Sequence, residues 1–189
     1  ETACVVVEPI LGEGRYVVPP PGYLAGVRSI CDTHGILMVV DEIQSGFCRT
    51  GSWFAHEQDG IRPDIMTIAK GMGSGFPISG ILYRSDLDGK WIKGSHGGTY
   101  GGGPLACAAS IATIGVMRDQ SLAENASVQG KRLRAGLDGL RERHPMLAEV
   151  RGRGLMVCVE LMRGGAPAPD ALGPLLEAAQ RRGLLLLSC

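Results

Sequence analysis

The sequence predicts an α/β fold, with a mostly parallel sheet in a large unit over residues 1–120 followed by part of a smaller α+β unit over residues 121–189. Three observations carry this expectation. Ala3 to Val7 (ACVVV) and Ile36 to Val40 (ILMVV) are short, unbroken, largely β-branched runs, the pattern of strands covered on both faces as in parallel sheets. Between them Leu24, Val27, Ile30 and Cys31 recur at helical spacing, with Pro21 before and Gly35 after as start and stop signals, so the first 42 residues read as a βαβ unit. Beyond Arg118 the character changes to an amphipathic helix studded with Arg and Glu, where a second unit is expected to begin.

The remaining elements follow in order. Glu8 and Pro9 end the first strand, and a Gly- and Pro-rich loop (LGEGRYVVPPPG) leads into the crossover helix. The second strand closes at Asp41 and Glu42. From Ile43 to Pro63 no periodicity survives, which predicts a long ordered loop, and loops of that length in compact domains are usually functional. Ile65 to Ala69 reads as a short buried strand that delivers Lys70 to a run of glycines at 71, 73 and 75. Gly80 to Tyr83 is a further strand. A second glycine cluster, HGGTYGGGP, precedes an alanine-rich helix over Leu105 to Met117, apolar nearly all round and expected to be buried. In the smaller unit, Leu133, Leu137 and Leu140 mark a helix face stopped by His144 and Pro145, and Leu155 to Leu161 reads as a strand. Gly164 to Pro169 reads as a loop, Leu172, Leu175, Leu176 and Ala179 as a second helix face, and Gly183 as its cap before a final strand over Leu184 to Leu187.

Composition narrows the partners. The 189 residues carry 44% hydrophobic side chains, enough for a real core, and 19 basic against 19 acidic residues leave no face that predicts nucleic acid or an acidic membrane. Small molecules are the expected ligands. Six cysteines are scattered without a Cys-x-x-Cys pair, so neither a metal site nor a disulfide framework is indicated. No apolar run is long enough to span a bilayer and no leader is evident, which points to a cytoplasmic setting. A chain that opens on Glu1 without Met, enters a strand almost at once and stops after an apolar run reads as the central part of a longer protein.

Lys70 and Asp41 are the candidate catalytic residues. Both follow strands, and in a parallel sheet the carboxyl ends of strands share one ligand-binding edge. A lysine and a carboxylate there suit pyridoxal phosphate, whose aldehyde is held by a lysine and whose ring nitrogen stays protonated beside a carboxylate, making the ring an electron sink. Glycine-loop amides with Ser74 or Thr99 offer phosphate donors. Neither nucleotide-loop pattern, G-x-G-x-x-G after the first strand or G-x-x-x-x-G-K-[ST], occurs.

EPILGEG, DEIQSGFCRTG, PDIMTIAKGMGSGFPISG and GSHGGTYGGGPLACAA, in this order, resemble the class III pyridoxal-phosphate aminotransferases, the group that contains the 4-aminobutyrate and ornithine aminotransferases. The resemblance implies the fold of the type I pyridoxal-phosphate enzymes. It further implies that Lys70 is the Schiff-base lysine, that Asp41 pairs with the pyridine nitrogen, that Ile43 packs on the ring and that Gln44 meets the ring hydroxyl. Thr99 would reach the cofactor phosphate of the neighbouring subunit in a homodimer with shared sites. Glu13 would pair with an arginine, not visible in this sequence, that gates the site for the 2-oxo acid. One departure is Gly103, where the family usually has Asn.

The expected activity is transfer of an amino group from an amino acid or amine donor, with ω-amino acids among the candidates, to a 2-oxo acid. Two alternatives stay open: another pyridoxal-phosphate reaction on the same fold, such as an aminomutase or decarboxylating transaminase, and a truncated chain without catalysis. The 189 residues alone are expected not to turn over.

Overall fold

A computed structural model describes residues 1–188. Its first sheet has four strands in sequence order: β1 (Cys4–Val7), β2 (Leu37–Asp41), β3 (Ile65–Ile68) and β4 (Gly80–Tyr83). The first three run parallel and β4 returns antiparallel beside β3. Helix α1 (Tyr23–His34) makes the crossover from β1 to β2. It ends as the sequence predicts, with Gly35 in the left-handed region (φ 63°) and its N–H on the Cys31 carbonyl. Leu24 and Cys31 of α1 pack on Met38 and Val40 of β2, all four fully buried, with Val5 and Val7 alongside. Burial of a Leu- or Val-sized side chain contributes about 1.5–3 kcal/mol, so this cluster anchors the crossover.

A second cluster, Phe47, Met66, Ile68 and Met72, lies beside Phe54, Ile78 and Met117 and is roofed by the loop after β2. That loop is ordered, as expected. Gly46 N–H bonds back to the Glu42 carbonyl at 2.9 Å, Phe47 packs edge-on against Phe54 with ring centroids 5.4 Å apart, and a short 3₁₀ turn spans Ala55–Asp59.

Helix α2 (Pro104–Asp119) leads to α3 (Leu122–Arg141), which packs on a second sheet made of β5 (Leu147–Arg153), β6 (Met156–Arg163) and the two-residue β7 (Ala166–Pro167). Ala126 and Gly130 are the buried positions of α3. At Gly130 an added Cβ would collide with the Gly154 backbone, and at Gly154 with the Thr50 backbone, so the β5–β6 turn is wedged between α3 and the loop after β2. Leu155 N–H to the Arg49 carbonyl (2.9 Å) and Arg153 to Asp59 (2.7 Å) complete that junction. Helix α4 (Leu172–Gln180) follows and closes at Gly183 (φ 78°).

Five expectations are corrected. The first strand is covered on one face only: Val5 and Val7 face α1, whereas Val6 is 63% exposed, because no element among the described residues lies over the other face of this edge strand. Helix α2 is not buried. Ala106 and Ser110 are covered, yet Leu105, Ile111 and Val116 are exposed, since α2 packs mainly on the turn after β3 and on α3, with Met117 reaching the second cluster. Leu133 is likewise exposed, the packed seam of α3 running through Ala126 and Gly130 instead. The Gly164 to Pro169 loop contains β7, which pairs with Met162 and Arg163. Leu184 to Leu187 form no strand, because among the described residues no strand lies beside them to supply ladder partners.

Candidate active site

Parallel pairing of β2 and β3 sets the frame. Asp41 is in register with Thr67, so the chain leaves both strands at the same edge, with Asp41 closing β2 and Lys70 following β3 by two residues. Lys70 is exposed, its side chain makes no hydrogen bond or ion pair among the described residues, and it opens a 3₁₀ turn (Lys70–Gly73) in the left-handed region at φ 40°. A lysine there costs on the order of 1–3 kcal/mol unless its surroundings impose it. They do. Met72 N–H bonds the Ala69 carbonyl at 3.0 Å and Met72 is buried. A Cβ on Gly71 or Gly73 would press on Phe47 (3.0 Å) or Ile78 (2.7 Å).

Asp41 accepts the N–H of Ile43 on Oδ1 at 2.9 Å, a local turn that fixes the carboxylate and starts the Ile43–Gln44 segment. Gln44 Nε2 donates to Glu13 Oε1 at 2.7 Å, so the loop after β1 meets the loop after β2 across the strand ends. A Cβ on Gly12 would lie 2.6 Å from the Gln44 amide, which shows how closely the loops approach. Glu13, without a partner in the sequence reading, thus has one. Thr99 lies in an exposed turn before α2 and makes no hydrogen bond to any of these residues.

Two acidic residues escaped the sequence reading except as strand terminators. Glu42 is fully buried and accepts Ser45 Oγ (2.5 Å), His56 N–H (2.8 Å) and the His56 ring Nδ1 (2.9 Å), tying the start of the loop after β2 to its 3₁₀ turn. Glu8 accepts Gly12 N–H at 2.7 Å and shapes the Glu13 loop. The available signals were Ser45 three residues after Glu42 and Gly12 four after Glu8.

Asp64, at the other end of β3, does structural work. It accepts Met38 N–H (2.6 Å), Arg28 (2.8 Å) and Arg84 (2.7 Å). Burial alone would raise its pKa, but the Met38 N–H and the two guanidiniums outweigh burial and hold it below the usual carboxylate range. An open groove of about 690 Å³ lies there, lined by Arg28, Asp64 and Arg84, at the end of the sheet away from Lys70.

The residues present fit pyridoxal phosphate by their chemistry: a free, solvent-facing amine and, one strand over, a carboxylate anchored through one oxygen with its other oxygen available.

Together, a mostly parallel sheet with Asp41 and Lys70 at the carboxyl ends of adjacent strands defines an α/β protein whose strand ends form the edge where ligands bind in such folds. Comparison with known proteins carries the definition further. The family model described as Aminotransferase class-III matches residues 1–189, and the chain belongs to that family. It is 42% identical over 192 residues to the 5-aminovalerate aminotransferase of Pseudomonas aeruginosa, covering 100% of this chain and 45% of that protein. It is 48% identical over 161 residues to the acetylornithine aminotransferase of Methanosarcina mazei, covering 85% of this chain and 40% of that protein. A solved ornithine aminotransferase of Toxoplasma gondii, described with partial occupancy of PLP at its active site, superposes with a TM-score of 0.88 at 37% identity over 97% of this chain and 43% of that one. The chain therefore has part of the aminotransferase fold and spans less than half the length of these relatives.

Proposed function

We propose that the protein carrying this chain is a pyridoxal-phosphate-dependent aminotransferase that moves an amino group from an amino acid or amine donor to a 2-oxo acid. The observation that carries this is the delivery of Lys70 and Asp41 to one edge by adjacent parallel strands. The cofactor, when bound, supplies an electron sink that lets a C–H bond next to nitrogen be broken as a proton loss. Lys70 Nζ would hold the cofactor at its aldehyde carbon and, as a free amine, would move the donor's proton as base and then acid. Asp41 would hold a positive charge on the ring nitrogen, while Ile43 would cover the ring and Gln44 would donate to its hydroxyl.

Glu13, beside Gln44, serves the oxo-acid step by partnering a gating arginine. Thr99 completes the phosphate site of a second subunit in a homodimer, a role supported by exposed Ile92 (78%), Tyr100 (91%) and Leu105 (77%) around it. The division of the chain at residues 120/121 is supported by the separate sheets before and after it. Relatives named for 5-aminovalerate and acetylornithine favour donors whose amine is remote from the carboxylate. A cytoplasmic location accords with the cysteine pattern and with the lack, among the described residues, of any helix long and apolar enough to cross a membrane.

The test is a panel of α- and ω-amino acids given to the full-length protein in single-turnover amounts, without oxo acid. Stoichiometric oxo product from an ω-amino donor, with the amino group retained on the cofactor, is expected. Release of carbon dioxide or ammonia instead would assign another reaction on the same fold.

A further inference from the structure

Arg151 lies on β5, in the second sheet, yet reaches the loop that carries Glu13. Its Nε–H donates to the Arg15 carbonyl at 2.9 Å, while Nη1 donates to Glu149 Oε2 (2.9 Å) and Glu160 Oε2 (2.7 Å). Glu149 is two residues along β5 and stands opposite Glu160 on β6, so all three side chains share one face of the sheet. The Arg151 side chain is only 10% exposed. Two carboxylates thus fix the plane of a rigid fork and leave its Nε aimed at a single carbonyl.

The receiving loop needs such a hold. Arg15 (φ 70°) and Tyr16 (φ 51°) are consecutive non-glycine residues in the left-handed region, a conformation kept only where surrounding contacts impose it. The loop's other ties include Glu8 to Gly12 N–H, the Leu11 N–H to Val17 carbonyl bond at 3.1 Å, the Tyr16 N–H to Gly12 carbonyl bond at 3.4 Å and a 4.0 Å ion pair between Arg15 and Glu160. From this loop Glu13 reaches Gln44.

We propose that Arg151 is a positioning residue that locks the Gly12–Tyr16 turn from the second sheet and thereby sets Glu13 against Gln44. It touches no reacting atom. Its kinetic consequence rests on the reading of Glu13 given above, whereas its hold on the loop does not.

The test uses the full-length protein with Arg151→Gln, Arg151→Lys, Glu13→Gln and the Glu13→Gln/Arg151→Gln pair. Arg151→Lys keeps a charge between the two carboxylates but has no donor at the Nε position, and it carries the test if Arg151→Gln does not fold. In cofactor-free protein, amide exchange at Gly12 and Tyr16 is expected to rise roughly tenfold in both Arg151 variants while Met38 and Val40 stay unchanged. With cofactor, KM for the oxo acid should rise roughly fivefold while the donor half-reaction holds. In the paired variant the two losses should fail to multiply, the mark of one shared path. Unchanged exchange at Gly12 and Tyr16, or a rise spread equally over Met38 and Val40, overturns the proposal. So does an oxo-acid KM altered by Glu13→Gln but not by either Arg151 variant. Loosened loop amides together with an inert Glu13→Gln would uphold the lock and refute the role given to Glu13.

Discussion

Asp41 carries its charge in a turn that would survive loss of that charge. An asparagine could still accept the Ile43 N–H through its oxygen, so Asp41→Asn keeps the local shape and removes only the negative charge beside the cofactor ring nitrogen. The expected result in the full-length protein is ordinary folding with a donor half-reaction slowed at least roughly a hundredfold, the scale on which preorganised charge acts. Single-turnover rates check this, and a near-normal rate would refute the role. Asp41 and Lys70 were legible in the sequence because each follows a short apolar run, and the end of such a run locates a charge without knowledge of packing. The Gln44–Glu13 contact and the burial of Glu42 were not legible, because they depend on Gly12 approaching Gln44 and His56 approaching Glu42 in three dimensions.

At the scale of elements, β3 is held at both ends by different chemistry: a left-handed turn at Lys70, and at Asp64 a carboxylate that ties β2, α1 and the segment after β4 together. Because the folded-state pKa of Asp64 is lowered, its contribution is present above the unfolded pKa of about 3.9 and is lost as pH falls through the lower folded value. Asp64→Asn should therefore destabilise at neutral pH and flatten the acid limb of the stability profile. Arg28 and Arg84 keep Asp32 and Asp86 as partners, so the loss should fall at the low end of the roughly 3–5 kcal/mol typical of a broken buried pair. Urea unfolding at several pH values measures it, and an unaltered acid limb would contradict the account. Among the strands, β1 to β4 were readable as apolar runs, whereas β5 (LAEVRGR) has no unbroken apolar run and went unread, its strand becoming evident only where α3 and β6 pack on it. Leu184 to Leu187 show the converse, since an apolar run becomes a strand only where a neighbour can pair with it.

Taken as a whole, the molecule leaves one face of its first sheet and most of α2 open, with Val6, Ile81, Ile111 and Val116 exposed. The proposed homodimer and the longer protein give these surfaces a use. If Thr99 acts across the dimer, mixing Lys70→Ala with Thr99→Ala subunits should restore ordinary cofactor affinity at one site per heterodimer. That site keeps its own Lys70 and takes Thr99 from its partner. Affinity that stays weak at every site would assign Thr99 to its own subunit. The 189 residues expressed alone should give no turnover with any donor, because misplacement of site groups by about 1 Å already costs roughly a hundredfold. Lys70-dependent amino transfer by that chain would contradict this. The central claim is that Lys70 is the residue that holds the cofactor, and its most direct test is borohydride reduction of the full-length protein loaded with pyridoxal phosphate, followed by peptide mapping. The account predicts a single labelled peptide carrying Lys70 and no label in Lys70→Ala; label on Lys90, Lys93 or Lys131, or undiminished labelling of Lys70→Ala, would contradict it.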